Sequence, residues 1–595
     1  MSNKNNKPKK ILNNPENAVE EFVNGLLNQF PSTLAKLENH NVILTKKTPK
    51  AGLVRLLSGG GSGHEPSHAG WIGDGMLSGA ILGGIFASPS VASVLSAVRR
   101  AATNDNDSST KNPVLLIVKN YTGDRLNFGI ACERAQSEGI ECEMVAVADD
   151  CALERSKGIT GARGVAGTVL VHKIAGAAAA EGKSLKEVSD IARLVCDGMG
   201  TMGVALDAVT VPGASTKNDR LDDSNLIEIG LGIHGEAGMK QSPMLTSDEI
   251  AKTLLYEIEK YGRQQSDNKE IIPMFVKSDD VCLMVNNLGG TSNFEMSILA
   301  NSAVKVMEDE YGCTVSRLLV GAFMTSFDMH GASLTVLNLT GAPTDLLRCL
   351  DAATSAPAWI PVDITTVNNK RYTGNEIPEV ISSTASSGIQ KLPPLKENVW
   401  NSNPIKELIN KAATAISNAE PILTKYDTIV GDGDCGITMK RGADKILSEE
   451  LPTDHPVPFF SSLADTISAS MGGTSGVLLE LLFRKMATYL SGKDKIGMVE
   501  LSEAFREGVN AVSFYGGASV GSRTMLDALV PASDELVSTN NLKDAAAKAR
   551  SGADSTAAMK TASAGRSNYL SESTLDGTPD PGAIAVAIVL ETLVE

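Results

Sequence analysis

The sequence predicts a two-part molecule, an α/β unit followed by an all-helical one. Three observations carry this. Up to about residue 375, short apolar runs alternate with helix-like segments. Residues 380–398 break that pattern, and beyond them strand-like runs almost vanish. A chain of 595 residues has length for more than one core, and 42% hydrophobic against 21% charged residues reads as globular.

In the first part, VLLIVKN (114–120), CEMVAVADD (142–150), VCLMVNNLGG (281–290), VSRLLVGAFM (315–324) and ASLTVLNLT (332–340) read as buried strands. They are short and β-rich, and most end in Gly, Asn or Asp. Between them, SLKEVSDIARLVCDGMG (184–200) and SDEIAKTLLYEIEKYGRQ (247–264) carry helical spacing. Ser247 is the expected N-cap of the second, and Gly262 marks its end. This is α/β grammar. Residues 380–398, VISSTASSGIQKLPPLKEN, read as a linker of serines, a glycine and a Pro-Pro pair. After it, residues 405–427, 476–492, 498–517, 542–559 and 582–595 all have helical periodicity, several rich in Ala and Leu. The expected boundaries are a polar tail at 1–10, an α/β unit at 11–379, the linker, and a helical unit at 399–595.

Charge and cysteine usage narrow the function. A net charge of −16 excludes a general nucleic-acid or anionic-membrane binder, which needs a basic surface. It leaves room for a small anionic ligand held by backbone N–H groups and a metal. The eight cysteines include no CxxC pair, so zinc spacing is absent and free thiols in a reducing compartment are expected. No signal peptide or membrane-length apolar run is visible, which makes the cytoplasm the expected location.

Five stretches carry chemistry. YDTIVGDGDCGITM places Asp427, Asp432 and Asp434 within eight residues, interleaved with glycines, before a helix-like segment. A bent loop there could aim three hard oxygen ligands at one Mg²⁺, with the helix start favouring phosphate; a solvated acidic turn is the alternative. SASMGGTSGVLLELL (468–482) puts small residues before an apolar helix and lacks the Walker lysine. LLSGGGSGHEPSHAGWIGDG (56–75) holds three glycines before Ser62, Gly63 and His64. His68 lies four residues on, but Pro66 between them speaks against a zinc pair. VKNYTGDRLNFG (118–129) offers Lys119 and Asp124 past a strand end, where open α/β sheets bind ligands; a salt-bridged turn is the alternative. IGLGIHGEAGM (229–239) sets His234 among glycines with Glu236 two residues away, an exposed imidazole suited to nucleophilic or acid–base work.

Taken jointly, these stretches resemble the dihydroxyacetone kinase family. GGGSGHEPSHAG, KNYTGDRLNFG and GIHGEAG are similar to its substrate-binding unit. YDTIVGDGDCGITM, MGGTSG, GSRTMLDAL (521–529) and DPGA (580–583) are similar to its nucleotide-binding unit. The likeness runs from about residue 10 to 595, with both units on one chain, as in the ATP-dependent form. It implies a substrate unit of two α/β subdomains and a nucleotide unit closed into a helical barrel. It implies that His234 holds dihydroxyacetone, or glyceraldehyde, as a covalent hemiaminal. Gly61, Ser62, Gly63, His64, Lys119 and Asp124 would surround the substrate, with Asp124 as base and His64 assisting. Mg²⁺ would sit on Asp427, Asp432 and Asp434. ATP would be cradled by Asp434, Cys435, Gly436, Ile437, Thr474, Ser475, Gly516, Thr524, Met525, Asp580, Pro581 and Gly582. A homodimer is implied as well. Cys435 stands where the split bacterial pattern often has His, and is expected to be a non-catalytic neighbour. Three rival readings are weighed: an FAD-splitting side activity, which no residue decides; a ligand-sensing regulator, against which the three intact aspartates speak; and a fatty-acid kinase, against which His234 speaks.

Overall fold

The computed structural model describes residues 9–46, 51–104, 110–155, 161–214, 220–221, 225–264, 270–342, 345–360, 397–398, 400, 402–563, 571–575 and 577–594. The linker read at 380–398 lies outside them except for Glu397 and Asn398, and so does most of the tail. The chain divides into two compact units, residues 1–381 and 382–595.

The first unit is built on two six-stranded sheets. One contains β1 (Leu34–Lys36), β2 (Val42–Thr45), β3 (Arg55–Ser62), β4 (Gly79–Ile85), β5 (Val114–Lys119) and β6 (Cys142–Val147). Its order is β1-β2-β4-β3-β5-β6, parallel from β4 to β6 and antiparallel at the β1–β2 edge. The other uses β7 (Met199–Ala205), β8 (Leu226–Ile229) and β9 (Lys240–Pro243). A two-residue ribbon follows, β10 (Arg263–Gln264) with β11 (Ile271–Ile272), before β12 (Asp280–Asn287), β13 (Thr314–Gly321) and β14 (Gly331–Asn338) complete the second sheet. That sheet runs β13-β12-β14-β7-β8-β9, parallel only between β12 and β13. β3 and β5 are buried along their whole length, as expected of strands covered on both faces.

The two sheets share one apolar core that includes Leu56 and Ile117 of the first and Met284 and Leu337 of the second. Helix Thr168–Ala180, TVLVHKIAGAAAA, is buried from Thr168 to Ala179 and belongs to that core. A helix apolar nearly all round has nowhere to go but the interior. Its one charged residue, Lys173, donates to the carbonyls of Cys349 (2.8 Å) and Ala352 (2.6 Å). Asp149 and Thr201 join the sheets by backbone and side-chain hydrogen bonds, at 2.7 and 2.6 Å.

Three local readings are corrected here. Helix Ser247–Tyr261 is capped by Thr246, not Ser247: the Thr246 hydroxyl accepts from the Glu249 N–H, and the Glu249 carboxylate accepts from the Thr246 N–H. Residues 184–200 are not one helix; Leu185–Asp197 is helical, and β7 begins at Met199. The helix read over 405–427 extends as Ser402–Val430, so Asp427 sits in its last turn and not on a loop.

Among the described residues, the second unit is, beside a short helix at Glu572–Leu575, a ring of eight long helices: Ser402–Val430, Cys435–Ser448, Pro456–Ser470, Gly473–Leu490, Met498–Gly516, Leu526–Thr539, Leu542–Ser555 and Pro581–Thr592. Each packs on the next, and the last closes against the first. The small departure from all-α is a two-residue bridge between Glu397–Asn398 and Lys495–Ile496. The ring encloses an apolar cavity of about 680 Å³, with Trp400, Ile409, Phe459, Phe483 and Leu590 among its walls. No helix among the described residues is long and apolar enough to cross a membrane.

Candidate active site

In the first unit the functional side chains hang from strand ends. β3 runs into Gly63 and His64, β5 ends at Lys119, and helix Thr122–Ser137 starts with Asp124 in its first turn. The turn after β8 carries His234. Gly63 adopts φ +116, and a methyl there would lie 2.6 Å from the rings of both Phe86 and Phe327. Only glycine lets the chain pass between those rings. The Ser62 hydroxyl donates to the Gly83 carbonyl (2.9 Å), so its one proton braces the loop. Gly61 packs against the backbone of Phe86 and Ala87.

His64 and His234 meet at Nε2–Nε2, 3.1 Å apart. Each ring is fixed by its other nitrogen. His64 Nδ1 donates to the Thr325 carbonyl (2.8 Å), which can only accept. His234 Nδ1 donates to the Glu236 carboxylate (2.8 Å), whose second oxygen accepts the His234 backbone N–H (2.9 Å). With both Nδ1 atoms protonated, two neutral rings would point lone pairs at each other. Phe86, Tyr121 and His64 pack edge-on to the His234 ring at centroid distances of 4.8–4.9 Å.

The charges are set by burial. His64 is fully buried, and burial, the Lys119 ammonium and His234 together drive its pKa well below the usual value. Burial pushes the Glu236 carboxyl up, but its hydrogen bond to His234, the charge on that ring and two N–H contacts bring it down to about 2. Burial lowers Lys119 and raises Asp124, while each opposes the shift in the other. Asp124 Oδ1 is buried and has no hydrogen-bond partner among the described residues. Gly60 lies open to both: a methyl there would be 3.3 Å from Asp124 Oδ2 and 3.5 Å from Lys119 Nζ. His64, Lys119, Asp124 and His234 are thus brought together. Phe86, Tyr121 and Thr325 complete the surroundings and were not singled out by the sequence; the positive φ of Phe86 (51°) is the kind of feature that only coordinates reveal.

In the second unit Asp427, Asp432 and Asp434 converge, with one carboxylate oxygen from each within 4.8 Å of the others. Asp427 is buried, and its Oδ2 accepts the N–H groups of Asp434 (2.8 Å) and Cys435 (2.9 Å). The helix starts at Cys435, so Cys435, Gly436 and Ile437 form its first turn and not a loop. Gly436 serves packing: a methyl there would lie 2.3 Å from the Thr424 hydroxyl. Burial, then the surrounding carboxylates, push the Cys435 thiol up to about 12, which leaves it protonated and unreactive. Thr474 and Ser475 lie in the first turn of Gly473–Leu490, and Gly516 ends its helix on the surface. Thr524 and Met525 precede helix Leu526–Thr539, with the Met525 side chain in the core. Asp580 caps helix Pro581–Thr592 through the Ala583 N–H (2.8 Å), and Gly582 faces Met525. Burial raises the Asp580 carboxyl to about 7, with Arg523 opposing and Asp527 and Asp427 adding to it. The helix starts at Cys435 and Pro581 therefore share one end of the ring with the acidic cluster, and dipoles that favour anions come with them.

A Dak1 domain matches residues 24–358 and a DAK2 domain matches residues 429–595. The chain belongs to the dihydroxyacetone kinase family. It is a kinase with both units on one chain. It is 41% identical to a Solanum lycopersicum protein whose name proposes a 3,4-dihydroxy-2-butanone kinase, over 97% of this chain and 96% of that one. It is 39% identical to the triokinase/FMN cyclase of Homo sapiens, over 99% of each chain. Among solved structures, the dihydroxyacetone kinase of C. freundii is 31% identical with a TM-score of 0.65, over 98% of this kinase and 99% of that chain. A second structure of that enzyme, in complex with AMP-PNP and Mg²⁺, matches equally.

Behind the Lys119 site lies a second histidine pair. The Ser58 hydroxyl donates to the Ile117 carbonyl (2.7 Å) and accepts from His68 Nδ1 and His172 Nε2, each at 3.2 Å. Burial, then the Lys119 charge, lowers His172 to about 3. An unfolded histidine titrates near 6.5. Below that pH the unfolded chain takes up a proton that folded His172 refuses, so stability falls as pH falls. Relative to His172→Asn, the parent should lose about 1.4 kcal/mol per pH unit below about pH 6. Urea unfolding of both proteins at pH 7 and pH 5 measures this; a constant gap would mean that His172 is free to protonate in the fold.

Proposed function

We propose that the protein is an ATP- and Mg²⁺-dependent kinase that phosphorylates dihydroxyacetone, and short aldehydes such as glyceraldehyde, while holding the carbonyl carbon on His234. The observation that carries this reading is the pair of outer hydrogen bonds on the two facing imidazoles. With Nδ1 of His234 committed to Glu236, Nε2 is the only nucleophilic position left on that ring. Attack of Nε2 on the ketone carbon forms the N–C bond as the C=O π pair moves to oxygen. The ring releases its Nδ1 proton as that oxygen takes one up through water, so a neutral adduct with a carbinol hydroxyl forms without net change in protons. A covalent anchor suits a substrate too small to bury much surface.

Asp124 then accepts the proton of the terminal hydroxyl as it attacks the donor phosphate. Its buried, partnerless Oδ1 and its raised pKa suit a base. Lys119 sits beside it to hold the substrate oxygen. In the second unit the donor set of three carboxylates, one buried and two exposed, fits a hard divalent cation. Asp427, Asp432 and Asp434 would hold Mg²⁺, which when bound neutralises phosphate charge during transfer. The N–H groups at the starts of the helices beginning at Cys435, Gly473 and Pro581 would cradle the ATP phosphates. The eight cysteines are free thiols, which supports a cytoplasmic enzyme, and we extend the reading to a homodimer.

ATP-dependent phosphorylation across a panel of three- and four-carbon carbonyl compounds tests the whole reading. Three variants divide it. His234→Ala should abolish the adduct and most turnover while nucleotide binding persists; an adduct seen by crystallography without His234 would sink the assignment. Asp124→Asn should keep the adduct and lower kcat by about 10²–10⁴-fold; an unchanged kcat would make Asp124 structural. Asp432→Asn should shift the Mg²⁺ dependence of rate and of ATP affinity and spare the adduct; curves that overlay the parent's would reduce the loop to an acidic turn.

A further inference from the structure

A buried guanidinium is kept only where its charge is paired and its N–H groups are used. Arg163 is such a group. It lies five residues before helix Thr168–Ala180, far in sequence from the His234 turn, and its side chain is 8% exposed. Nε donates to Asp150 Oδ2 (2.6 Å) and Nη2 to the Gly230 carbonyl (2.9 Å), the first residue of the turn. Asp150 is itself fixed, because its Oδ1 accepts the Ala152 N–H (2.9 Å) and its own N–H donates to the Arg163 carbonyl (3.1 Å).

The third nitrogen reaches the middle of the turn. A methyl on Gly232 would lie 2.4 Å from Arg163 Nη1 and 2.1 Å from Glu236 Oε2. The guanidinium and the Glu236 carboxylate therefore flank the space that a side chain at Gly232 would fill. Glu236 spends both oxygens on His234, so whatever holds Glu236 holds the ring. Tyr121 closes the remaining side, with its ring edge-on to His234 and its buried hydroxyl near the charges of Glu236, Arg163 and Asp150.

We propose that Arg163, anchored on Asp150, is a positioning residue that sets the orientation of His234 by fixing the turn at Gly230 and the Glu236 carboxylate across Gly232. This rests on the reading of His234 as the covalent anchor. The work needs three nitrogens in a fixed fork, which a lysine cannot supply although it keeps the charge.

The test uses full-length Arg163→Lys, Glu236→Gln and the double variant. [2-¹³C]dihydroxyacetone is titrated by NMR for the adduct carbon, and steady-state kinetics are run beside it. Arg163→Lys should weaken adduct formation and raise the KM for dihydroxyacetone about tenfold or more, the scale of a lost buried charged hydrogen bond. The KM for ATP should not move. Since Arg163 acts through Glu236, the double variant should be no worse than the worse single one. Gly232→Ala inserts a methyl between the two groups without removing either. It should reproduce the loss, and it stands in if Arg163→Lys fails to unfold at the parent's temperature. An adduct and a KM equal to the parent's in the folded variants, or fully additive losses in the double variant, overturn the inference alone. Absence of the adduct in the parent overturns the His234 reading and this inference with it.

Discussion

The contact between His64 and His234 is the constraint on which the first unit depends. The two rings come from different sheets, and a 3.1 Å contact between them leaves little room for the sheets to slip. Each is held from behind by a group of the second sheet's own connections: Thr325 follows β13, and Glu236 sits in the turn after β8. The docking must therefore be rigid. It is made so by the buried helix Thr168–Ala180, by the hydrogen bonds between Asp149 and Thr201, and by an apolar core continuous across both sheets. Interiors packed at crystal-like density transmit small displacements, so a change in that core would be felt at the imidazoles.

The same burial that fixes the geometry sets the chemistry. Lys119, Asp124, Glu65, Asp149, Asp150 and Arg163 are largely withdrawn from water around one small space. Desolvation drives the shifts of Lys119, Asp124, Glu65, Asp149 and Asp150, with opposite charges or hydrogen bonds limiting them. At Arg163 burial lowers the guanidinium, but the charge of Asp150 and its other partners together outweigh it, and the net shift is upward. Asp149, pushed up to about 6, is satisfied by the Val165 and Gly167 N–H groups and the Thr201 hydroxyl, and so anchors the segment leading into the buried helix. Polar groups in such a site are worth more than they would be in water, and the cost of leaving one unpaired is correspondingly greater. The partnerless oxygen of Asp124 is therefore informative, and the buried Tyr121 hydroxyl in the same site likewise has no partner among the described residues.

Much of this was legible in the sequence, and what was not has identifiable reasons. The strands from Val114, Cys142, Asp280, Thr314 and Gly331 announce themselves because each is a short β-rich run. Helix Thr168–Ala180 was not picked out, because a segment apolar on every side has no period to read. The Thr246 cap was displaced by one residue because Thr and Ser stand side by side and either can cap. Asp427 reads as a loop residue because Gly431, Gly433 and Gly436 follow it closely, whereas the helix persists to Val430 before them. His234 and Glu236 were readable as a local pair. Arg163, Asp150, Thr325 and Phe86 were not, since they reach the site through sheet topology and not through sequence proximity.

The two units thus rely on opposite physics. The first gathers side chains, buried and pinned, around one small space. The second presents backbone: Asp427 accepts the N–H groups of Asp434 and Cys435, and helix starts at Cys435 and Pro581 lie with it at one end of the ring. Three carboxylates so near one another repel, and a fold gains nothing from that repulsion unless a cation relieves it. One buried acid bound by two N–H groups and two exposed acids make a cluster rigid at its base and open at its mouth, which suits the proposed cation that arrives with a nucleotide. On the proposed reading, the histidine site is precise before anything binds, whereas the acidic cluster is completed by what it binds.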